Sequence, residues 1–291
     1  MELYQLRAFV AVARQGNFTR AAEELHLSQP TISGQIKALE EALGVLLFER
    51  KVGGIVLTPA GTELHARAGK ILAEIHDFVN HADRLAGRAK AKIRLGVSGD
   101  AKTYRVGKLL EAARVQYPEM EVEVHNGLSG WIMNAIRQDE LDCGYFVGAI
   151  EHPDVVSTVL DVLTYRIVAP AAWAEQMANA GWNEIGAMPW VLTPELAAPR
   201  RIAISMFREH GIEPTQVTIV DRESTVAHLV SSGVGLALLR EKLAQETVLS
   251  EEVVLWENGA ALADLSFICL DKRKDDPAIA AMTRIIRTIW A

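Results

Sequence analysis

Seven residues, Leu64, Ala68, Ile71, Ile75, Phe78, Ala82 and Leu85, follow one another at spacings of four, three, four, three, four and three. That is a heptad seam held over three repeats, and it demands one long helix, because only helical geometry returns side chains to one face at this interval. Thr58 and Pro59 supply its start, a hydroxyl to cap it and a proline where no helical N–H is needed. Arg67, Lys70, Glu74, Asp77 and Arg84 flank the stripe. So narrow a seam suits a partner helix better than a broad core, so pairing of two copies is expected, although packing on its own domain would leave the same stripe. The long helix divides 291 residues, 49% of them hydrophobic, into a short N-terminal part and a longer remainder, each able to hold its own core.

Ahead of the seam, Leu6, Phe9, Val10 and Ala13 mark a first helix over 3–15 that stops at Gly16. Asn17 can cap a short second helix over 19–25, in which Ala21, Ala22 and Leu25 allow close packing. After a turn at His26 and Leu27, Ser28 caps a third helix whose apolar residues Ile32, Ile36, Leu39 and Leu43 step by four, three and four. Its other face carries Gln29, Thr31, Ser33, Gln35 and Lys37, hydrogen-bonding groups suited to base edges and phosphates in a DNA major groove. Helix, short helix, tight turn, helix is the order of a helix-turn-helix. Val45 to Phe48 and Ile55 to Leu57 then predict two short strands joined through Gly53-Gly54, a wing with Arg50 and Lys51 at its base.

Charge agrees with that division. The net charge is -7, yet residues 1–92 hold 12 Lys+Arg against 10 Asp+Glu while the rest hold 18 against 27, so any nucleic-acid contact belongs to the N-terminal third. No run of eighteen apolar residues or basic leader is present, which predicts a cytoplasmic protein with no membrane partner. Cys143 and Cys269 each lie in an apolar run and read as buried, reduced thiols.

Residues 1–61 resemble the LysR-type transcriptional regulators. The resemblance rests on Leu6-Arg7-Ala8-Phe9-Val10-Ala11-Val12-Ala13, Asn17-Phe18-Thr19-Arg20-Ala21-Ala22, Ser28-Gln29-Pro30-Thr31-Ile32-Ser33-Gly34-Gln35-Ile36, Leu39-Glu40, Leu43-Gly44, Leu47-Phe48-Glu49-Arg50 and Leu57-Thr58-Pro59-Ala60-Gly61. It implies an all-α winged helix-turn-helix over 1–58 with its motif at about 18–37. It also implies a linker and dimerisation helix over 59–92, and a two-lobed α/β effector domain of periplasmic-binding-protein type over 93–291. Double-stranded DNA, a small-molecule effector, a second copy of the chain in a dimer or tetramer, and RNA polymerase for an activator are the implied partners. Arg20, Ser28, Gln29, Pro30, Thr31, Ser33, Gln35, Lys37, Arg50 and Lys51 are the candidate DNA contacts. Gly34 stands where many relatives have a cation, and Gly53 and Val56 where a basic wing residue is frequent, which leaves phosphate anchoring to Arg20, Lys37, Arg50 and Lys51.

Beyond the basic stretch 87–92, strand and helix patterns alternate: strands near 93–97, 121–125, 141–146, 163–169, 190–193, 217–220, 235–239 and 265–270, with helices between them and a last helix over 277–290. Such alternation predicts an α/β sheet with mostly parallel strands. The resemblance continues more weakly and implies lobe one at 93–162 plus 267–291 and lobe two at 163–266. Ligands of open α/β sheets bind beyond the carboxyl ends of strands or between domains. That picks out Ser98, Gly99, Asp100, Lys102, Ser129, Phe146, Gly148, Thr193, Glu223 and Thr225. An effector carboxylate could use Lys102 or the backbone N–H groups near Ser129, whereas Asp100 would favour an amine.

No catalytic, cofactor or metal residues are indicated. The Ser232-Gly233-Val234-Gly235 turn follows a helix and precedes a strand, the reverse of a dinucleotide fingerprint, and no G-x-S-x-G elbow, H-E-x-x-H helix or paired-cysteine ligand set occurs. An enzyme on the two-lobed scaffold and a thiol sensor using Cys143 and Cys269 are the alternative readings, the latter disfavoured by apolar settings that withhold a thiolate.

Overall fold

The computed structural model describes residues 1–51, 54–85, 92–99, 101–249 and 251–291, and the side chains of 50, 51 and 81–85 fall outside that description along with a few others in the long helix. The chain forms two compact units, one built from Met1–Ala91 with Arg137–Glu140 and the other from Lys92–Ile136 and Leu141–Ala291.

In the first unit, α1 (Leu3–Gln15), α2 (Phe18–Glu24) and α3 (Gln29–Leu43) precede a hairpin of β1 (Phe48–Lys51) and β2 (Gly54–Leu57), and α4 (Pro59–Leu85) follows. The ends fall where local chemistry puts them. Gly16 and Gly44 close α1 and α3 in the left-handed conformation, and the Asn17 side chain accepts the N–H groups of Thr19 and Arg20 at 2.8 and 3.2 Å. His26, at φ 54°, makes the turn between α2 and α3. The core between the helices holds Leu6, Phe9, Val10, Ala21, Ala22, Ile32, Ile36 and Leu39, with Phe9 and Phe18 meeting Phe48 edge to face.

The wing differs from its expected form. Val45, Leu46 and Leu47 lie outside the strands, and the charged Glu49, Arg50 and Lys51 are strand residues. The ladder pairs Phe48 with Leu57 and ends with Lys51 opposite Gly54, so Arg50 and Lys51 sit toward the turn and not at the base. The turn residues 52 and 53 lie outside the described residues. Glu40 fastens the wing to α3, its carboxylate accepting the Leu47 and Phe48 N–H groups at 2.7 and 3.3 Å.

The stripe on α4 changes character along its length. Leu64 and Ala68 pack on the unit's own core, whereas Ile71 is 43% and Phe78 75% exposed. The side chains of Ala82 and Leu85 are outside the described set, as is the basic stretch before Lys92.

The second unit contains β3 (Lys92–Val97), α5 (Val106–Gln116), β4 (Glu121–Asn126), α6 (Ser129–Arg137), β5 (Cys143–Val147), β6 (Val155–Pro170), α7 (Ala174–Asn179), α8 (Trp182–Ala187), β7 (Trp190–Leu192), α9 (Ala198–His210), β8 (Val217–Ile219), α10 (Glu223–Ser231), β9 (Ala237–Arg240), α11 (Glu241–Val248), β10 (Val253–Leu270) and α12 (Pro277–Trp290). Its main sheet runs β4-β3-β5-β10-β6-β9. The expectation of mostly parallel strands needs correction: β3 is parallel to β4 and β5, and β7 to β8, but β10 is antiparallel to β5 and to β6, and β6 to β9.

The reason lies in the lengths of β6 and β10, 16 and 18 residues. They pair over most of their course; β6 carries the chain out of lobe one and β10 brings it back, so two neighbouring crossings run in opposite directions and pair antiparallel. Polar residues in β6, including Ser157, Thr158, Asp161 and Thr164, hide its continuity from a hydrophobic pattern, and the expected lobe boundary at 162/163 falls inside it.

A buried charge cluster locks lobe one. The Asp142 carboxylate, 2% exposed, accepts the Arg94 backbone N–H at 2.7 Å, Arg94 Nε at 3.1 Å and Nη2 at 2.9 Å, and Arg273 Nη1 at 2.6 Å. Three segments far apart in sequence meet there.

Candidate functional site

Two sites emerge, one in each unit. On α3, Ile32, Ile36 and Leu39 are buried while Gln29, Pro30, Thr31, Ser33 and Lys37 are exposed and Gln35 is half-buried. Ser28 caps the helix as expected, its Oγ accepting the Thr31 N–H at 3.3 Å and lying 2.7 Å from Thr31 Oγ1. Lys37 faces Glu41 at 3.8 Å, an exposed pair of small energetic weight. Arg20 is exposed on α2. A Cβ added at Gly34 would have open space around it, so the helix surface at this position is bare backbone. The arrangement presents hydrogen-bonding groups from a rigid face whose opposite side is fixed in a core, as groove recognition requires.

In the second unit a cavity of about 600 Å³ opens between the lobes. Lobe one contributes Ser98, Gly99, Lys102 and Thr103 after β3, and Gly127 and Leu128 before α6; lobe two contributes Thr193, the first turn of α9, and Asp221 to Ser224 at the start of α10. Glu223 is held in place by Arg240, whose Nε and Nη2 donate to its carboxylate at 3.0 to 3.2 Å. Burial works against the Arg240 charge, but the hydrogen bonds and charge of Glu223 outweigh it and raise its pKa. Thr193 is 7% exposed, and among the described residues its Oγ1 has no hydrogen-bond partner, an unmet demand that a ligand in the cavity would satisfy.

Of the sequence candidates, Ser98, Gly99, Lys102, Thr193 and Glu223 therefore line one cavity. Asp100 lies outside the described residues. The other four stand elsewhere. Thr225 is exposed and does not line the cavity. Ser129 is fully buried and is the first residue of α6; its Oγ accepts the Val147 N–H and Arg201 Nη2, each at 3.2 Å. Phe146 is buried under the Arg201 guanidinium at 4.9 Å, and Gly148 turns the chain beside it at φ 106°.

Arg201 is the residue that sequence reading missed. From α9 it reaches across to lobe one, donating to Val147 O at 2.8 Å and Ser129 Oγ at 3.2 Å, and back to Leu196 O at 2.9 Å. Burial presses its pKa down. The guanidinium thus lies over the Phe146 ring at the end of β5, supplied from the other lobe. Two adjacent cations, Arg200 and Arg201, in an otherwise apolar helix start were the one signal available.

Comparison with known proteins fixes the family. Residues 3–62 match the model described as bacterial regulatory helix-turn-helix protein, lysR family, and residues 86–291 match the LysR substrate binding domain. The chain belongs to the LysR family. It is a LysR-type transcriptional regulator, with a DNA-binding helix-turn-helix domain and an effector-binding domain. This LysR-family chain is 30% identical over 240 residues to the transcriptional regulator CfxR of Cupriavidus necator, covering 82% of this chain and 75% of that one. It is 27% identical to the transcriptional regulator BenM of Acinetobacter baylyi, covering 100% of this chain and 97% of the relative. The crystal structure of CbnR, a LysR family transcriptional regulator, shares the fold at 21% identity and a TM-score of 0.57, covering 100% of both chains. CbnR has also been solved full-length in complex with its target DNA, at a TM-score of 0.54 and 22% identity over 99% of both chains. Among the described residues no helix is long and apolar enough to cross a membrane.

Proposed function

We propose that residues 1–58 read an operator in double-stranded DNA through α3, that residues 59–92 pair two copies of the chain, as a dimer or within a tetramer, and that residues 93–291 sense a small molecule. The observation that carries this reading is the division of α3, with Ile32, Ile36 and Leu39 buried and Gln29, Thr31, Ser33 and Lys37 exposed. Gln29, Pro30, Thr31 and Ser33 address base edges; Arg20, Ser28, Gln35, Lys37, Arg50 and Lys51 address phosphates and fix register. The exposed Ile71 and Phe78 on α4 supply apolar surface for the partner helix. RNA polymerase is the further partner if the protein activates, and the compartment is the cytoplasm, where the DNA is.

The effector binds in the cavity without being turned over, touching Ser98, Gly99, Lys102, Thr193 and Glu223. Its differential affinity for two lobe arrangements is what shifts the DNA-bound state. Footprinting on the gene's own upstream region tests the first part. A protected site is expected, and Gly34→Arg, which places a cation on bare helix surface, should tighten binding to all sequences and steepen the salt dependence by about one counterion per half-site. No protected site would sink the DNA-binding assignment for this region, and unchanged non-specific affinity in G34R would show that position 34 faces away from the duplex.

The second part is tested by thermal shift against a metabolite panel. A compound that stabilises the second unit should lose about fivefold in affinity in Thr193→Val, since the variant keeps the shape and removes one hydrogen bond worth about 1 kcal/mol. An unaltered shift in that variant places the ligand elsewhere, and consumption of the compound would make the unit an enzyme.

A further inference from the structure

The two cysteines of this chain, 126 residues apart, are register partners: Cys269 of β10 lies directly opposite Cys143 of β5. Opposite residues of an antiparallel pair share a face of the sheet, with Cα atoms about 4.5 to 5.5 Å apart, inside the range of about 4.4 to 6.8 Å that a disulfide spans. The neighbouring pair on that face shows the side chains converging, since Tyr145 and Phe267, also register partners, meet edge to face with ring centroids 5.7 Å apart. Cys143 and Cys269 belong to the same buried cluster under α12.

The two thiols differ in access. Cys143 is fully buried, whereas Cys269 is 5% exposed and forms part of the wall of a second cavity, about 550 Å³, between the ends of β6 and β10 and α12. Lys274, Arg284 and Arg287 line that cavity with Thr158 and Thr283. An agent entering there meets Cys269 first, with Cys143 behind it.

We propose that Cys143 and Cys269 are a reversible thiol pair, oxidised by a hydroperoxide that enters the α12 cavity and closed into a disulfide joining β5 to β10. Cys269 Sγ, its proton released, attacks one peroxide oxygen. The O–O bond breaks, the alcohol or water leaves with a proton, and the sulfur becomes a sulfenic acid, two electrons having passed from sulfur to oxygen. Cys143 Sγ then attacks Cys269 Sγ, the S–O bond breaks, and water leaves carrying the Cys143 proton. Two thiols and one hydroperoxide yield a disulfide, an alcohol or water, and a second water; low-molecular-weight thiols return the pair to its reduced form by exchange. Burial raises the pKa of both thiols, while Arg273 and Lys274 pull Cys269 back down. The reaction is accordingly slow, and its test is run to completion.

The full-length protein is treated with hydrogen peroxide under native conditions, quenched, denatured, alkylated and mapped by mass spectrometry without reduction. Loss of both alkylatable thiols, a cross-linked peptide joining Cys143 to Cys269, and recovery with dithiothreitol are expected. Cys269→Ser should leave Cys143 oxidised about tenfold more slowly or less, and Cys143→Ser should leave Cys269 as a sulfenic acid that dimedone traps. Thiols that stay alkylatable, a sulfinic acid at Cys269 without a cross-link, or a bond between two chains would each overturn the proposal. Should a serine variant fail to fold, the peptide map of the unaltered protein decides alone. None of these readouts depends on DNA or effector binding.

Discussion

Replacing Asp142 with Ala is expected to destabilise the effector-binding unit by about 3–5 kcal/mol, the largest stability loss foreseen for any single side chain. The carboxylate lies between Arg94 and Arg273, whose side chains are only 15% and 11% exposed. Removing it leaves two guanidinium groups buried with less to neutralise them, and unfolding becomes the cheaper way to return them to water. Asp142→Asn keeps the shape and one acceptor, and should fall between the variant and the parent. The same cluster sets an acid limit. Burial raises the Asp142 pKa, but the hydrogen bonds of Arg94 and the charges of Arg94 and Arg273 outweigh it and hold the group below its ordinary value. The folded state therefore binds fewer protons, so the stabilisation is complete above the unfolded pKa of about 3.9 and is lost as pH falls through the folded value. Calorimetry of the second transition, at neutral pH and in acid, measures both. A loss under 1 kcal/mol in Asp142→Ala would mean that the cluster is solvated in solution.

The second large effect is expected on DNA. Gln29 is exposed in the first turn of α3, where a side chain of a major-groove helix reaches base edges. If each copy places Gln29 on one base, Gln29→Ala removes about 1–3 kcal/mol per half-site. In a dimer the loss counts twice, so specific affinity should fall by between about thirtyfold and about twenty-thousandfold. Non-specific affinity should hardly move, because the phosphate contacts remain. Fluorescence anisotropy with operator and scrambled duplexes separates the two. Equal losses on both would assign Gln29 to the backbone, and no loss on either would remove it from the interface.

What the sequence discloses depends on how far apart the cooperating residues lie. Gly16, Asn17, Ser28 and Gly44 act on backbone groups within four residues, so their capping roles are legible one element at a time. The α4 stripe was half legible: its spacing is plain, but which part meets the unit's own core depends on how the other helices pack, and among the described residues of the stripe it is Leu64 and Ala68 that do. Arg201 and Ser129 are 72 residues apart, Arg94 and Asp142 48, and Asp142 and Arg273 131. No local pattern encodes such partners. The four displaced candidates share one cause. Ser129, Phe146, Gly148 and Thr225 were chosen by their position at strand ends or helix starts, a rule that finds the right rim of a sheet without saying which side chains turn into the opening.

One close approach in the first unit has a mechanical meaning. A Cβ at Gly61 would lie 2.1 Å from the Leu47 carbonyl oxygen, and Thr58 Oγ1 donates to Leu46 O at 2.7 Å. The first turn of α4 is thereby riveted to the base of the wing. The helix has 27 residues, a shaft about 40 Å long, so tilting it by about 1° moves its far end by about 0.7 Å relative to the wing. Read in reverse, a small displacement imposed at Leu85 arrives at the hairpin as a change of angle, with little slack at the joint to absorb it. Gly61 thus sets the stiffness of a lever, and a bulkier residue there would force the joint apart at Leu47 and shift the wing that carries Arg50 and Lys51.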